Sequence, residues 1–169
     1  SGLSYSLTQL DGYRQVASET QQTLGNVQIV LNKVDGARGA AAERLLLVSD
    51  SSTRAQVDEA ALSSRGTFEE LVQALNMQLG GRALLSGNSV GIAPLAPADD
   101  MLTDIQTAIG GVLDHATILA AVDSWFNDPA GGFVTRGYLG DTGPPSERQV
   151  TENKLVAINA RADDPAIRQ

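Results

Sequence analysis

The sequence predicts an α+β protein: a long antiparallel helical hairpin of coiled-coil character, with a small second domain of one helix plus antiparallel strands. Three observations predict this class. Apolar residues recur at alternating steps of three and four over residues 10–48, a Gly- and Pro-rich stretch follows residue 80, and β-favouring residues become frequent after residue 133. The alternating spacing is typical of helices that pack along a narrow stripe. With 169 residues and 42% hydrophobic content, the chain can form one large or two small domains.

Charge and residue usage narrow the possible functions. The chain has 20 acidic and 12 basic residues, a net charge of −8 and no cysteine. Nucleic-acid binding requires clustered Lys and Arg, and the sequence has no basic run. Without cysteine there are no disulfides and no thiolate metal sites. Aromatic residues make up only 4% of the chain, which favours close helix packing over a deep ligand pocket. We therefore expect no cofactor, no nucleic-acid partner and no small-molecule substrate.

The first predicted helix begins near residue 3 and reaches residue 48. Four glycines weaken it, but the stripe keeps its phase past Gly36 and Gly39, which predicts one continuous helix. At roughly 1.5 Å per residue, such a helix is about 70 Å long and makes a rod. A wall of an ordinary helical bundle would show similar spacing and stays an alternative. The stripe residues that we take as packing positions in this helix are Leu10, Leu24, Val27, Leu31, Val34, Leu45 and Val48.

The second predicted helix covers residues 53–79, after a loop of cap and turn residues at 49–53. Its stripe includes Phe68, Leu71 and Leu75. Gly80 and Gly81 end it, as glycine commonly does beyond a helix. Because the loop is short, the two helices should lie antiparallel. The stripe residues of both helices form the predicted assembly surface.

A second domain is predicted from residue 88. Pro97 suits a first helical turn, so one helix is expected over residues 97–126, with Gly110 and Gly111 as the place where it bends or is interrupted. Strands are expected over residues 82–86, 133–139, 147–151 and 154–159. We therefore divide the chain into a rod domain (1–87), an inserted outer domain (88–162) and a lead-in to a further C-terminal helix (163–169). The sequence begins without Met, so we expect flanking segments to be missing.

A hydrolase pattern is present on paper but lacks its context. Residues 87–91 match G-x-S-x-G around Ser89, and the histidine His115 follows later. The pattern requires a helix directly after the serine, and Pro94 and Pro97 interrupt that stretch. We therefore expect a Gly-rich loop, no catalytic residues and no enzyme activity.

Metal sites are not expected either. A single histidine makes no zinc site without cysteines. Asp99, Asp100 and Asp104 lack EF-hand spacing and suit the first turns of a helix. Trp125 and Phe126 are expected to close the end of the second domain.

A short turn motif carries a family resemblance. Beyond Asn76 the chain reads Gly-Arg-x-Leu-x-Ser-Gly over residues 81–87, with the motif positions at Gly81, Arg82, Ser86 and Gly87. This stretch resembles the flagellin superfamily, most closely its hook–filament junction proteins (hook-associated protein 3). Residues 23–40 are similar to the first long helix of that family, and residues 159–166 to the run that leads back into its C-terminal helix. Ala83 and Leu85 depart from the family, in which an aromatic is common.

The resemblance implies a structural subunit of the bacterial flagellum that joins hook to filament by self-assembly through long helices. It implies an extracellular location, reached without a cleaved signal peptide. The implied partners are copies of the chain, neighbouring hook or filament proteins and an export chaperone. A flagellin filament subunit shares the helical signature and stays an alternative, as does a helical sensor or adaptor ectodomain.

Overall fold

The computed structural model describes residues 2–47, 51–111 and 114–168. Over these residues helices predominate, and two small antiparallel sheets of two strands each are present. The predicted mixture of helix and strand, with a long N-terminal helix, is confirmed. In chain order the elements are α1 (Gly2–Leu45), α2 (Arg54–Leu75), β1 (Gln78–Leu79), β2 (Arg82–Ala83), α3 (Ala98–Ile109), α4 (His115–Asn127), a π-helical turn (Phe133–Gly137), β3 (Ser146–Thr151), β4 (Lys154–Ile158) and α5 (Pro165–Arg168).

Helix α1 runs without interruption for 44 residues, about 66 Å at roughly 1.5 Å per residue. It passes through Gly36 and Gly39, where an added Cβ would meet open space. The prediction of one continuous helix is therefore confirmed. The helix ends at Leu45, and the predicted last stripe residue, Val48, lies outside the described residues.

Helix α2 returns along the second half of α1. Near the connecting loop, Arg44 Nη1 donates to Ser63 Oγ at 3.0 Å and to Thr67 Oγ1 at 3.3 Å. Further from the loop, Val34 lines the same cavity as Val72. Earlier residues of α1 thus meet later residues of α2, so the two helices pack antiparallel.

Side-chain hydrogen bonds define both ends of α2. At the start, Thr53 Oγ1 accepts from Gln56 N at 3.3 Å, and Gln56 Oε1 accepts from Thr53 N at 2.8 Å, a reciprocal capping pair. The helix ends at Leu75, so the predicted extension to residue 79 is wrong. Asn76 donates to Leu95 O at 3.1 Å and accepts from Leu95 N at 2.8 Å. This amide holds a distant strand-like segment, and the chain then enters β1.

Two helices replace the single helix predicted over residues 97–126, and the break falls at Gly110 and Gly111, where a bend or an interruption was expected. Helix α3 stops at Gly110, which has φ +65°, and Gly111 follows at φ +74°. Consecutive residues in this left-handed region end a helix. Asp114 then caps α4, where its carboxylate accepts from Thr117 N at 2.9 Å.

A π-helical turn replaces the strand predicted over residues 133–139, so that prediction is wrong too. Gly132 passes directly against Trp125, and an added Cβ there would lie 1.9 Å from the indole Nε1. Phe133 then packs edge-on against Trp125, with ring centroids 6.1 Å apart. The burial of these two rings decides the local conformation against the β preference of the residues.

The β3–β4 ribbon matches the prediction to within one residue at each end. Glu147 pairs with Ala157 and Arg148 with Val156, in antiparallel register with an irregularity near Thr151. Strand β3 lies against α1. The predicted strand over residues 82–86 is shorter in the structure, where β2 covers only Arg82–Ala83.

The buried apolar cluster draws on most of the chain. It includes Val30 of α1, Leu85, Met101 of α3, Trp125 of α4 and Ala162. The cluster spans the predicted domain boundary at residue 87, and the division into a rod and an outer domain stays a prediction. Within the described ranges, no helix is both long and apolar enough to cross a bilayer.

Candidate assembly surface

The structure distributes the predicted stripe residues over three environments. Three of them are buried in the chain: Val27, Val34 and Leu75. Three are half-buried against the same apolar cluster: Leu31, Phe68 and Leu71. Leu10 is 57% exposed and Leu24 46% exposed. The side chain of Leu45 and the whole of Val48 lie outside what the structure describes. The fold of this chain therefore covers only part of the stripe.

The buried face of α1 shares every second position with the predicted stripe. At the position between two shared ones, the buried residue lies one residue earlier than predicted. Val27 and Val34 lie on both. Between them the structure buries Val30, which is 0% exposed, whereas Leu31 is half-buried. The valine at residue 30 is a core position that the leucine-based pattern missed.

The first turns of α1 present an apolar face that no described element covers. We call Leu3, Leu7 and Leu10 the leucine face; their spacing of four and three places them on one side of the helix. They are 82%, 60% and 57% exposed. All residues from 3 to 12 are exposed. Several large apolar side chains exposed together are typical of an interaction surface.

Further along α1, a groove of about 340 Å³ separates the helix from the end of the chain. Leu24 and Leu31 lie on its α1 side. Ala160 and Ile167 lie on the other side. The groove is mainly apolar, so a second apolar surface lies on α1 beside the buried face.

The turn motif begins with the β1–β2 hairpin. Leu79 pairs with Arg82 across the loop Gly80–Gly81, and these glycines have φ +57° and +75°. Two positive φ values in a two-residue hairpin loop suit glycine and match the twist of the strands. The hairpin leaves the Arg82 side chain exposed.

The second half of the motif joins three segments of the chain. Ser86 O accepts from Asp141 N at 2.9 Å, and Gly87 N donates to Ala160 O at 3.4 Å. Gly87 has φ +63°, and an added Cβ would lie 2.8 Å from Asp141 O. Ser86 is 0% exposed. Gly87 is thus required by both its backbone angle and its close contact, and the motif acts as a structural junction.

Tyr138 and Arg161 complete this junction. The Tyr138 hydroxyl donates to Asp141 O at 3.1 Å, and the Arg161 guanidinium lies 5.9 Å from the Tyr138 ring centroid. Arg161 Nε donates to Asp163 Oδ1 at 2.7 Å. Burial, followed by the nearby Asp163 carboxylate, raises the pKa of Tyr138 from 10.0 to about 12. Hydrogen bonds from the Gly143 N–H and from the Asn88 side chain lower the pKa of Asp141.

The residues of the hydrolase pattern lie on different elements of the chain. Ser89 lies in a turn, where its N–H donates to Ser86 O at 3.3 Å. His115 is the exposed first residue of α4. Among the described residues, no hydrogen bond joins Ser89 to His115.

Two of the aspartates of α3 are engaged by other side chains. Asp99 pairs with Arg65 of α2. Asp104 accepts from Trp125 Nε1 at 2.6 Å and from Arg136 Nε at 2.8 Å. The Trp125 hydrogen bond, followed by that of Arg136, lowers the pKa of Asp104. These contacts tie α3 to α2 and α4.

Comparisons of this chain with protein-family models, with curated proteins and with solved structures found no match. The interpretation of the site therefore depends on its geometry and on the sequence motif. In that geometry the leucine face and the apolar groove beside Leu24 and Leu31 are the candidate contact surfaces.

Proposed function

We propose that the chain is a structural subunit that self-assembles through α1. The observation that carries this proposal is the leucine face, whose side chains are 57–82% exposed on one side of a continuous helix. The segment of α1 that carries the leucine face, residues 3–12, is exposed throughout. A helical segment this short is only marginally stable in water on its own. Burial of a leucine contributes about 1.5–3 kcal/mol, so contact with helices of other copies would stabilise this segment.

The turn motif adds the proposed location. Its resemblance to the flagellin superfamily supports a role in the bacterial flagellum, where the subunit would join hook to filament outside the cell. Its neighbours there would be copies of the chain and hook or filament proteins. Export without a cleaved signal peptide, aided by a chaperone, belongs to the same proposal.

The apolar contact is tested with Leu10→Asp. Thr8→Asp is the matched control, because it adds the same charge to an exposed residue on the other side of α1. Sedimentation velocity over a range of concentrations should show weak self-association for the wild type and for Thr8→Asp, and its loss for Leu10→Asp. A wild type that stays monomeric at every concentration would remove α1 as an assembly surface.

The flagellar role is tested in cells that lack the gene. Electron microscopy should then show hooks without filaments, with the filament protein released into the medium. Bare hooks together with filament protein in the medium would support the junction role. Bare hooks with no filament protein in the medium would instead support a flagellin. Normal flagella in these cells would sink the proposal, and complementation with Leu10→Asp and Thr8→Asp links the result to the leucine face.

A further inference from the structure

A polar groove of about 290 Å³ lies between α1, the β1–β2 hairpin and β3, apart from the leucine face. Arg82 of the hairpin and Arg148 of β3 both line it, together with Gln22 and Glu19 of α1. The groove therefore brings two guanidinium groups from distant parts of the sequence to one concave surface.

Arg148 points inward, toward α1. Along β3, Arg148 and Val150 are half-buried, while Glu147 and Gln149 between them are exposed. Since side chains alternate across a strand, Arg148 belongs to the face that lies against the body of the chain.

Arg82 and Arg148 lack such a partner, although the chain has 20 acidic residues. Four other arginines form ion pairs with carboxylates: Arg54, Arg65, Arg136 and Arg161. Within the described part of the chain, neither Arg82 nor Arg148 forms an ion pair or a side-chain hydrogen bond. Two positive charges without partners that line one concave surface attract an anion to it.

We propose that this groove binds an oxyanion, with Arg82 and Arg148 as its ligands. The guanidinium group is planar and presents paired N–H donors that fit the oxygens of phosphate, sulfate or carboxylate. The Gln22 amide supplies a neutral donor on the α1 wall. Glu19 lines the same groove with its carboxylate held by Gln15 at 3.1 Å, and its charge limits the affinity. The site is independent of the assembly proposed for α1.

Titration of the ¹⁵N-labelled chain with inorganic phosphate at constant ionic strength tests the proposal. Amide and side-chain signals of Gln22, Arg82 and Arg148 should shift and saturate. Arg148→Gln should weaken binding by about tenfold or more, because a charge-assisted hydrogen bond is lost. Arg14→Gln, which removes an exposed positive charge of α1 outside the groove, should change it by less than about twofold. Glu19→Gln should strengthen binding, since it removes a nearby negative charge.

The source of the oxyanion is distinguished by a second measurement. A carboxylate of another copy would make self-association, measured by sedimentation, depend on Arg148 and not on Arg14. A free anion would leave self-association unchanged in both variants. If phosphate produces no saturable shift, and Arg148→Gln changes neither binding nor self-association, the site does not exist. Should Arg148→Gln fail to fold, unchanged phosphate binding in both Glu19→Gln and Arg82→Gln would overturn the proposal equally.

Discussion

Gly87 lies where the turn motif meets two other segments of the chain, at Asp141 and Ala160. Its φ of +63° is strained for any side chain, and a Cβ would lie 2.8 Å from a backbone oxygen that cannot move freely. We expect Gly87→Ala to lower the free energy of unfolding by about 2 kcal/mol or more, from both backbone strain and the clash. Urea unfolding followed by circular dichroism measures this loss.

The control is Gly66→Ala, within α2. An added Cβ there meets open space, and alanine is the better helix former by roughly 1 kcal/mol. Gly66→Ala should therefore stabilise the chain while Gly87→Ala destabilises it. Equal effects at the two positions would show that the junction geometry has no bearing on stability.

Tyr138 gives the fold an alkaline limit. Its pKa in the folded chain, about 12, lies above the ordinary value of 10.0. The folded state therefore holds the hydroxyl proton more tightly than the unfolded state. The stabilisation that depends on this proton is complete below pH 10 and is lost as the pH rises from 10 to 12.

The difference between wild type and Tyr138→Phe isolates this effect. Wild-type stability should fall more steeply than that of Tyr138→Phe over this interval, in urea unfolding at each pH. The difference in tyrosinate absorbance between the two proteins should rise near pH 12. Parallel stability curves would assign the alkaline loss to other groups.

At the scale of a single element, the position of the buried face on α1 can be tested with two truncations. Val30 is 0% exposed and Leu24 is 46% exposed. Val30→Ala removes fewer atoms than Leu24→Ala, yet burial makes it the more costly change, about 2 kcal/mol against less than about 1 kcal/mol. Thermal or urea unfolding of the two variants measures which substitution lowers the free energy of unfolding more. A larger loss for Leu24→Ala would restore the leucine-based stripe as the face that packs within the chain.

Sequence patterns predicted elements best where one local rule applied. Helix α1 and the β3–β4 ribbon followed from periodicity, and the cluster of cap and turn residues at 49–53 marked the start of α2. The errors arose where tertiary contacts decided the outcome. Periodicity alone did not distinguish Val30 from Leu31, although valine or threonine at residues 16, 23 and 30 marks a second series in steps of seven.

Two other differences have separate causes. Gly110 and Gly111 marked a bend or an interruption in one predicted helix, and their left-handed φ values separate α3 from α4. The aromatic and β-branched residues after Gly132 predicted a strand. Instead, this segment packs against the indole of Trp125 and forms a π-helical turn. Trp125 is in turn held by Asp104, 21 residues earlier in the sequence. Contacts between residues so distant in sequence lie outside what a local pattern records.

For the whole molecule, the sequence indicated which residues belong to apolar surfaces. It did not indicate which of these residues the chain itself buries and which it leaves exposed. Val27 and Val34 of the predicted stripe are covered by the chain itself, whereas Leu10 and Leu24 are not. Only the packing of the folded chain separates these two groups, because both follow the same spacing. The groove at Arg82 and Arg148 left no sequence signal, since 66 residues separate its two arginines and both belong to ordinary strand segments.

Net charge sets the salt dependence of assembly through the leucine face. Each copy carries a formal charge of −8, so two copies repel each other at long range. Salt shortens the range of this repulsion, from about 10 Å at 0.1 M to about 3 Å at 1 M, while the apolar contacts are not weakened by it. Self-association of the wild type should therefore strengthen as sodium chloride is raised from 0.05 to about 0.5 M, measured by sedimentation at constant protein concentration.

The direction of this change separates two kinds of contact. Ion pairs between copies would weaken over the same range, because salt screens attraction as it screens repulsion. Leu10→Asp should remove the strengthening entirely, and Thr8→Asp should retain it. Self-association that weakens with salt in both the wild type and Leu10→Asp would place the contact on charged side chains, away from the leucines of α1.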